Sequence, residues 1–190
     1  NATVFVDYDG DGILDSNEPS TTTDSNGAFT LTSTSSTAQI VATTDATTID
    51  TSTGQSLAGV ILKAPAGSKV VTPATTLIQE TGMTSTEVAD ALGLTGVDLL
   101  NFNPFAAGAD AVTALKVEKV SQQIIATALS ISTAAESSGA SSLNAINKSF
   151  GAIADLLKNK SAASPLDFTN TADLDAIKTS AISKLSSDIT

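Results

Sequence analysis

The sequence predicts an α+β fold, a small antiparallel β-sandwich followed by an α-helical bundle. Residues 1–72 hold short runs of β-branched and aromatic residues separated by Gly, Asn, Asp and Ser. Residues 73–190 instead hold apolar residues that recur every three or four positions, as in helices that bury one face. We therefore expect two domains, 1–72 and 73–190, with the bundle packed on the sandwich.

The first domain is expected to contain four to six strands. Residues 3–6 are β-branched or aromatic and form the first strand. In 28–32 polar and apolar residues alternate, which places Phe29 and Leu31 on one face. Further strands are predicted at the apolar runs 38–42, 57–62 and 69–71.

Five helices are expected in the second domain. A helix is predicted at 73–81, with Thr72 as its N-cap and Pro73 as its first residue. Thr84 and Glu87 form a capping box, and Gly93 would end that helix. The apolar segment 97–105 is predicted to be a buried connector. The remaining helices are predicted at about 109–137, 142–159 and 172–188.

Each of the last three helices carries a single apolar stripe, the pattern of helices that pack in a bundle. The stripes comprise Val117, Val120, Ile124, Ala128 and Ile131, then Leu143, Ile146, Phe150, Ile153 and Leu157, then Leu174, Ile177, Ala181 and Leu185. The sequence has no His and no inward-facing pairs of Glu, which argues against a cofactor site in this bundle.

Residues 7–18 have the spacing of a twelve-residue EF-hand loop, in which oxygen ligands converge on one cation. Gly12 takes the position where the chain turns sharply, and Ile13 takes the next, where only a backbone carbonyl is needed. The other ligand positions are all acidic: Asp7, Asp9, Asp11, Asp15 and Glu18. The pattern predicts a Ca²⁺ site formed by these five side chains and the Ile13 carbonyl.

Two other interpretations of this loop are open. An acidic, solvated turn needs no metal, but five carboxylates in one loop would repel one another without a cation. Magnesium prefers octahedral geometry and retains water, so it fits a ring of protein oxygens less well than calcium.

The segments that flank the loop distinguish it from a helix-loop-helix sensor. The loop is entered from the predicted strand 3–6, and Pro19 follows it, where Pro would not suit the interior of an exiting helix. The sequence contains no second loop of this kind, which argues against a paired calcium switch and against a dockerin. An EF-like loop on a β scaffold is the expected arrangement.

Composition excludes several kinds of chemistry. The chain has no Cys, His or Trp, and its nine basic residues are all Lys. Disulfides, thiol nucleophiles, Ser-His-Asp triads and His-ligated metals are therefore excluded. A pair of carboxylates in a cleft could hydrolyse glycosides, but the acids of this chain lie in the loop or on predicted helix surfaces. We therefore do not expect this chain to be an enzyme.

Charge is distributed unevenly along the chain. The net charge is −11, and no Lys precedes Lys63. We therefore expect neither nucleic acid nor anionic membrane surfaces as partners. No apolar run is long enough for a transmembrane span. The eight acids of the first 62 residues are Asp7, Asp9, Asp11, Asp15, Glu18, Asp24, Asp45 and Asp50.

Two stretches resemble known bacterial surface proteins. Residues 3–32, including Val4-Phe5-Val6-Asp7-Tyr8-Asp9-Gly10-Asp11-Gly12 and Asp24-Ser25-Asn26-Gly27-Ala28-Phe29, are similar to calcium-binding B-type repeats with a transthyretin-like sandwich. The stretches 71–77, 91–94 and 97–105 resemble segments of large secreted RTX-type adhesins. The resemblance implies an extracellular, calcium-loaded module of a cell-surface or biofilm protein, with the metal ligands given above.

The chain departs from those repeats in two ways. About a hundred helical residues are expected after the sandwich, and the first strand lacks the Lys that forms an isopeptide crosslink in related domains. Lys63 and Lys69 are the only candidates for such a crosslink in the β region. The chain starts at Asn1 without a visible secretory signal, so we expect a fragment of a longer protein.

The residues and the resemblance together favour a calcium-stabilised structural or presenting module of an extracellular adhesin, whose partners are neighbouring domains. The alternative is a calcium-dependent module that binds a glycan or a peptide. One Tyr and no Trp argue against stacking on sugar rings. Self-association through the helical half is a further alternative.

Overall fold

The structure is a computed structural model that describes residues 1–33, 35–136 and 142–186. Its described residues form one four-stranded antiparallel sheet and five α-helices. The prediction of mixed α and β structure, with strands before helices and antiparallel pairing, is confirmed.

The sheet is centred on its first strand, which runs between two antiparallel neighbours. The order in space is β2-β1-β3-β4. Three consecutive residues of β1, Val4, Phe5 and Val6, are each at most 1% exposed, so both faces of the sheet are covered. The strands are β1 (Thr3–Asp7), β2 (Ser20–Thr22), β3 (Gln39–Thr43) and β4 (Ile61–Ala64).

Several strand predictions need correction. The segment 28–32 is not a strand, although Phe29 and Leu31 are half-buried as the alternation required. Residues 57–60 form a turn before β4, and 69–71 are not a strand. The Lys69 N–H donates to the Leu100 carbonyl at 2.8 Å and not to a neighbouring strand. Strand β2 was not predicted, because a run of Ser and Thr has no apolar alternation.

The helices match their predicted positions more closely. They are α1 (Pro73–Thr81), α2 (Ser85–Ala91), α3 (Ala111–Glu136), α4 (Ser142–Leu157) and α5 (Thr171–Ser186). Thr72 and Thr84 are N-caps with reciprocal capping boxes, as their sequence context predicted. The predicted ends of α3 at Ser137 and of α5 at 187–188 lie outside the described residues. None of the described helices combines the length and the apolar character that spanning a membrane requires.

Helix α4 is the centre of the helical part, with α1, α3 and α5 against it. Its predicted stripe residues Ile146, Phe150, Ile153 and Leu157 are all at most 1% exposed, whereas the side chain of Leu143 lies outside the described residues. The connector 97–105 is only partly buried: Leu99 is in the core, but Phe105 is 62% exposed, contrary to prediction.

The sheet and the helices meet at strand β4. Val60, just before β4, belongs to the same apolar cluster as the helices, and Leu62 packs against that cluster. The Lys63 ammonium lies 2.8 Å from a carboxylate oxygen of Glu80 on α1. These contacts fix helix α1 beside the edge of the sheet.

Candidate metal centre

The acidic loop is the connection between β1 and β2, so it lies at one end of the sheet. Asp7 is the last residue of β1, and Asp9 and Asp11 follow at alternate positions. One carboxylate oxygen from each of these three residues lies within 4.8 Å of the other two. Of the five predicted carboxylate ligands, these three therefore lie close together.

Asp7 is the fixed member of this cluster. Its side chain is 1% exposed, and its two oxygens accept hydrogen bonds from the N–H groups of Gly10 (2.6 Å) and Gly12 (2.9 Å). The Gln39 side-chain amide, at the start of β3, donates a third hydrogen bond at 2.7 Å. A buried carboxylate needs such donors, and these three hold it at a defined position.

The two glycines allow the loop to curl around Asp7. Gly10 and Gly12 have φ angles of 84° and 77°, a region that residues with a Cβ rarely occupy. Asp9 accepts a hydrogen bond from the Asp11 N–H, and Asp11 accepts one from the Ile13 N–H at 2.7 Å. The loop is thus ordered by its own carboxylates and amides.

Glu18 closes the loop rather than joining the three-residue cluster. Its two oxygens accept hydrogen bonds from the N–H groups of Tyr8 (2.7 Å) and Asp15 (2.9 Å), and the residue is 8% exposed. Its carboxylate therefore links the two ends of the loop. The Asp15 carboxylate also lies outside the cluster.

The surroundings of Asp15 in the loop disfavour the charged form of its carboxyl. Loss of solvation raises the pKa of this carboxyl above its ordinary 3.8, and the charges of Asp9 and Asp11 raise it further. Glu18 and Asp7 act in the same direction. A bound cation would reverse this effect, because it favours the charged form of every carboxylate nearby.

The available donors suit a hard cation. Carboxylate oxygens are the ligands that calcium and magnesium prefer, and neither nitrogen nor sulfur side chains take part in the cluster. Asp7, Asp9 and Asp11 could therefore hold a metal ion.

Sequence reasoning missed two contributors to the site. Gln39 is far from the loop in the chain, and its role depends on the pairing of β1 with β3, which no local pattern shows. The Gly10 N–H also contacts Asp7, and the Asp-Gly-Asp-Gly repeat was a signal that could have pointed to it.

Comparisons with known proteins do not extend these observations. No protein-family model, curated protein or solved structure matches the chain.

Proposed function

We propose that the chain is a calcium-stabilised structural or presenting module of a large extracellular adhesin at a bacterial surface. The observation that carries the proposal is the convergence of Asp7, Asp9 and Asp11 where β1 ends. The proposed role is structural and non-enzymatic, and the proposed partners are neighbouring domains of the same protein.

The position of the cluster explains how an ion could stiffen the domain. The loop connects β1 to β2, and Asp7 is hydrogen-bonded to Gln39 of β3. An ion held by Asp7, Asp9 and Asp11 would therefore act on three strands of the sheet. It would also offset the mutual repulsion of the loop carboxylates, which otherwise opposes folding.

The finer parts of the proposal depend on the loop spacing and on the resemblance to B-type repeats. We propose that the ion is calcium and that Asp15, Glu18 and the Ile13 carbonyl complete an EF-like ligand set. We also propose that the sheet belongs to a transthyretin-like sandwich. The assignment to an RTX-type adhesin, the role in cell adhesion and biofilm, and the location outside the cell have the same basis.

Thermal unfolding in calcium and in EDTA tests the proposal. A site that binds only the folded state adds about 2.7 kcal/mol when calcium is at a hundred times its Kd. For a chain of this size that corresponds to a rise in Tm of roughly 5–10 °C. Magnesium at the same concentration should raise the Tm less, because it retains its water.

The matched control is the double variant Asp9→Asn, Asp11→Asn, which keeps side-chain oxygens but removes two charges from the cluster. Its Tm should respond little to calcium. If the Tm of the unmodified chain is the same in calcium and in EDTA, the structural role of calcium is wrong.

A further inference from the structure

One hydrogen bond among the described residues reaches the buried Asp7 carboxylate from outside the acidic loop. It comes from the side-chain amide of Gln39, whose Nε2 lies 2.7 Å from Asp7 Oδ2. The two residues face each other across the antiparallel pair β1 and β3, so their side chains leave the sheet on the same side. Gln39 is therefore placed by strand pairing, whereas the other donors to Asp7 are placed by the loop.

The hydrogen bonds leave the two oxygens of Asp7 in different states. A carboxylate oxygen has two lone pairs that can accept. Oδ2 accepts from the Gly12 N–H at 2.9 Å and from Gln39 at 2.7 Å, so both of its lone pairs are used. Within the part of the chain that the structure describes, Oδ1 accepts only from the Gly10 N–H, at 2.6 Å. Asp7 thus has one lone pair left for a cation, and it is on Oδ1.

Glu18 is arranged differently, although it is also buried. Its Oε1 accepts from the Tyr8 N–H at 2.7 Å, and its Oε2 accepts from the Asp15 N–H at 2.9 Å. In the described ranges neither oxygen accepts a second hydrogen bond, so each keeps one lone pair. The additional donor from Gln39 is what distinguishes Asp7 from Glu18.

We propose that Gln39 is a positioning residue of the metal site, which makes Asp7 bind the cation through Oδ1 alone and holds that oxygen in place. The inference rests on the proposed function, because it requires that the loop binds calcium. Removal of a group that orients a metal ligand typically weakens the metal affinity by about 10–100-fold. Since Gln39 lies on β3, the affinity for the cation then depends on the pairing of β1 with β3 as well as on the loop.

A purely structural role for Gln39 is the competing interpretation. A carboxylate that is 1% exposed needs donors, and a third donor stabilises the folded chain whether or not a cation is bound. The two roles differ in what they predict for a chain that lacks this donor. Loss of a structural donor lowers the stability and leaves the calcium Kd of the folded chain unchanged, whereas loss of a positioning donor raises that Kd.

The test compares Gln39→Met with Gln55→Met. The first variant keeps the length of the side chain but removes the N–H donors to Asp7, and the second makes the same change at an exposed position. Isothermal titration calorimetry, well below the unfolding temperature of each chain, measures calcium binding to the folded state. Gln39→Met should raise the Kd about tenfold, and Gln55→Met should stay within about twofold of the unmodified chain.

NMR of the unmodified chain gives a second measurement that needs no variant. A cation on Oδ1 draws charge from the Asp7 carboxylate, which weakens the hydrogen bond from Gln39 to Oδ2. The side-chain N–H signals of Gln39 should therefore shift as calcium is added, and the shift should saturate together with the calorimetric signal. The side-chain signals of Gln55 should stay where they are.

The outcomes separate this inference from the proposed function. If the unmodified chain binds calcium and Gln39→Met has the same Kd as Gln55→Met, the positioning role is wrong and calcium binding stands. Gln39 side-chain signals that do not move while calcium binds would also overturn the positioning role, and they decide the matter if Gln39→Met does not fold. If the unmodified chain binds no calcium, the proposed function fails, and the role of Gln39 fails with it.

Discussion

Asp7 differs from the other loop acids because it is buried and already has three N–H donors. It is therefore part of the sheet's own hydrogen bonding as well as a possible ligand. Asp9 and Asp11 are exposed, and each accepts a single backbone hydrogen bond. Substitutions at these positions should separate folding from metal binding.

We expect Asp7→Ala to lower the free energy of unfolding by about 1–3 kcal/mol even in EDTA, because it leaves the Gly10, Gly12 and Gln39 donors without their acceptor. Asp9→Ala should change it by less than about 0.5 kcal/mol in EDTA. Both should reduce the stabilisation by calcium. Urea unfolding with and without calcium measures these differences, and equal losses in EDTA would contradict the distinction.

How much of the site was predictable depends on distance along the chain. The cluster of Asp7, Asp9 and Asp11 follows from spacing within one short loop, and the turn at Gly12 follows from its lack of a Cβ. The contact from Gln39 and the closure of the loop by Glu18 depend on which groups strand pairing and folding bring together. Spacing alone could not show that Glu18 contacts amides.

At the scale of elements, helix starts were predicted well because they depend on neighbouring residues. The caps Thr72 and Thr84 bond within three residues of themselves. Strands were predicted poorly because pairing partners are distant. The segment 28–32 has the alternation of a strand, yet no backbone partner is brought to it.

The contact of β4 with α1 gives a prediction for Thr76. Its hydroxyl accepts the Lys63 N–H at the sheet edge, and it is 1% exposed. Thr76→Val keeps the shape but leaves that N–H unsatisfied, so we expect a loss of about 1–3 kcal/mol. Thr179→Val is the matched control, because the Thr179 hydroxyl is exposed and bonds only within α5. Chemical denaturation should show a loss for the first variant and little change for the second.

The link between α4 and α5 gives a prediction about pH. The Lys160 ammonium lies 2.7 and 2.8 Å from the two Asp173 oxygens, and both side chains are about 15% exposed. The hydrogen bond from Lys160 lowers the pKa of Asp173 below its ordinary 3.8, and the Asp167 N–H lowers it further. Since the folded pKa is below the unfolded one, this stabilisation is present above about pH 4 and is lost as the pH falls through the folded pKa.

Asp173→Asn should therefore lower the free energy of unfolding at pH 7 by about 1 kcal/mol. It should also make stability fall less steeply below pH 4, because the variant lacks the carboxyl whose protonation is coupled to unfolding. Asp175→Asn, at an exposed position on the same helix, is the control. Unfolding curves between pH 7 and pH 2 measure both effects, and parallel pH profiles for the two variants would show that the ion pair adds no stability.

At the scale of the whole molecule, the expected boundary at residue 72 crosses several contacts. Val60 lies in the helical core, and the Asp50 carboxylate accepts a hydrogen bond from the Gln122 side chain of α3 at 2.7 Å. The edge of β4 is completed by hydroxyls from α1. A division into 1–72 and 73–190 is a prediction from composition, and these contacts indicate that the two parts depend on each other.

We therefore predict that residues 1–72 do not fold alone and that the whole chain unfolds in one transition. The isolated segment would expose Val60 and leave the Lys63 backbone groups without partners. Circular dichroism of the segment, in calcium and in EDTA, and calorimetry of the whole chain test this. A folded segment, or two separate heat-absorption peaks, would show two independent domains.

Tyr8 gives the loop a spectroscopic label of its own. It is the only Tyr in a chain without Trp, it is 40% exposed, and its N–H donates to Glu18 within the acidic loop. Ultraviolet light of a wavelength that Tyr absorbs and Phe does not therefore excites a single ring, which lies in the sequence between two of the clustered carboxylates, Asp7 and Asp9. A titration with calcium can be followed by the intensity of the emission from that ring, without an added dye or an engineered fluorophore.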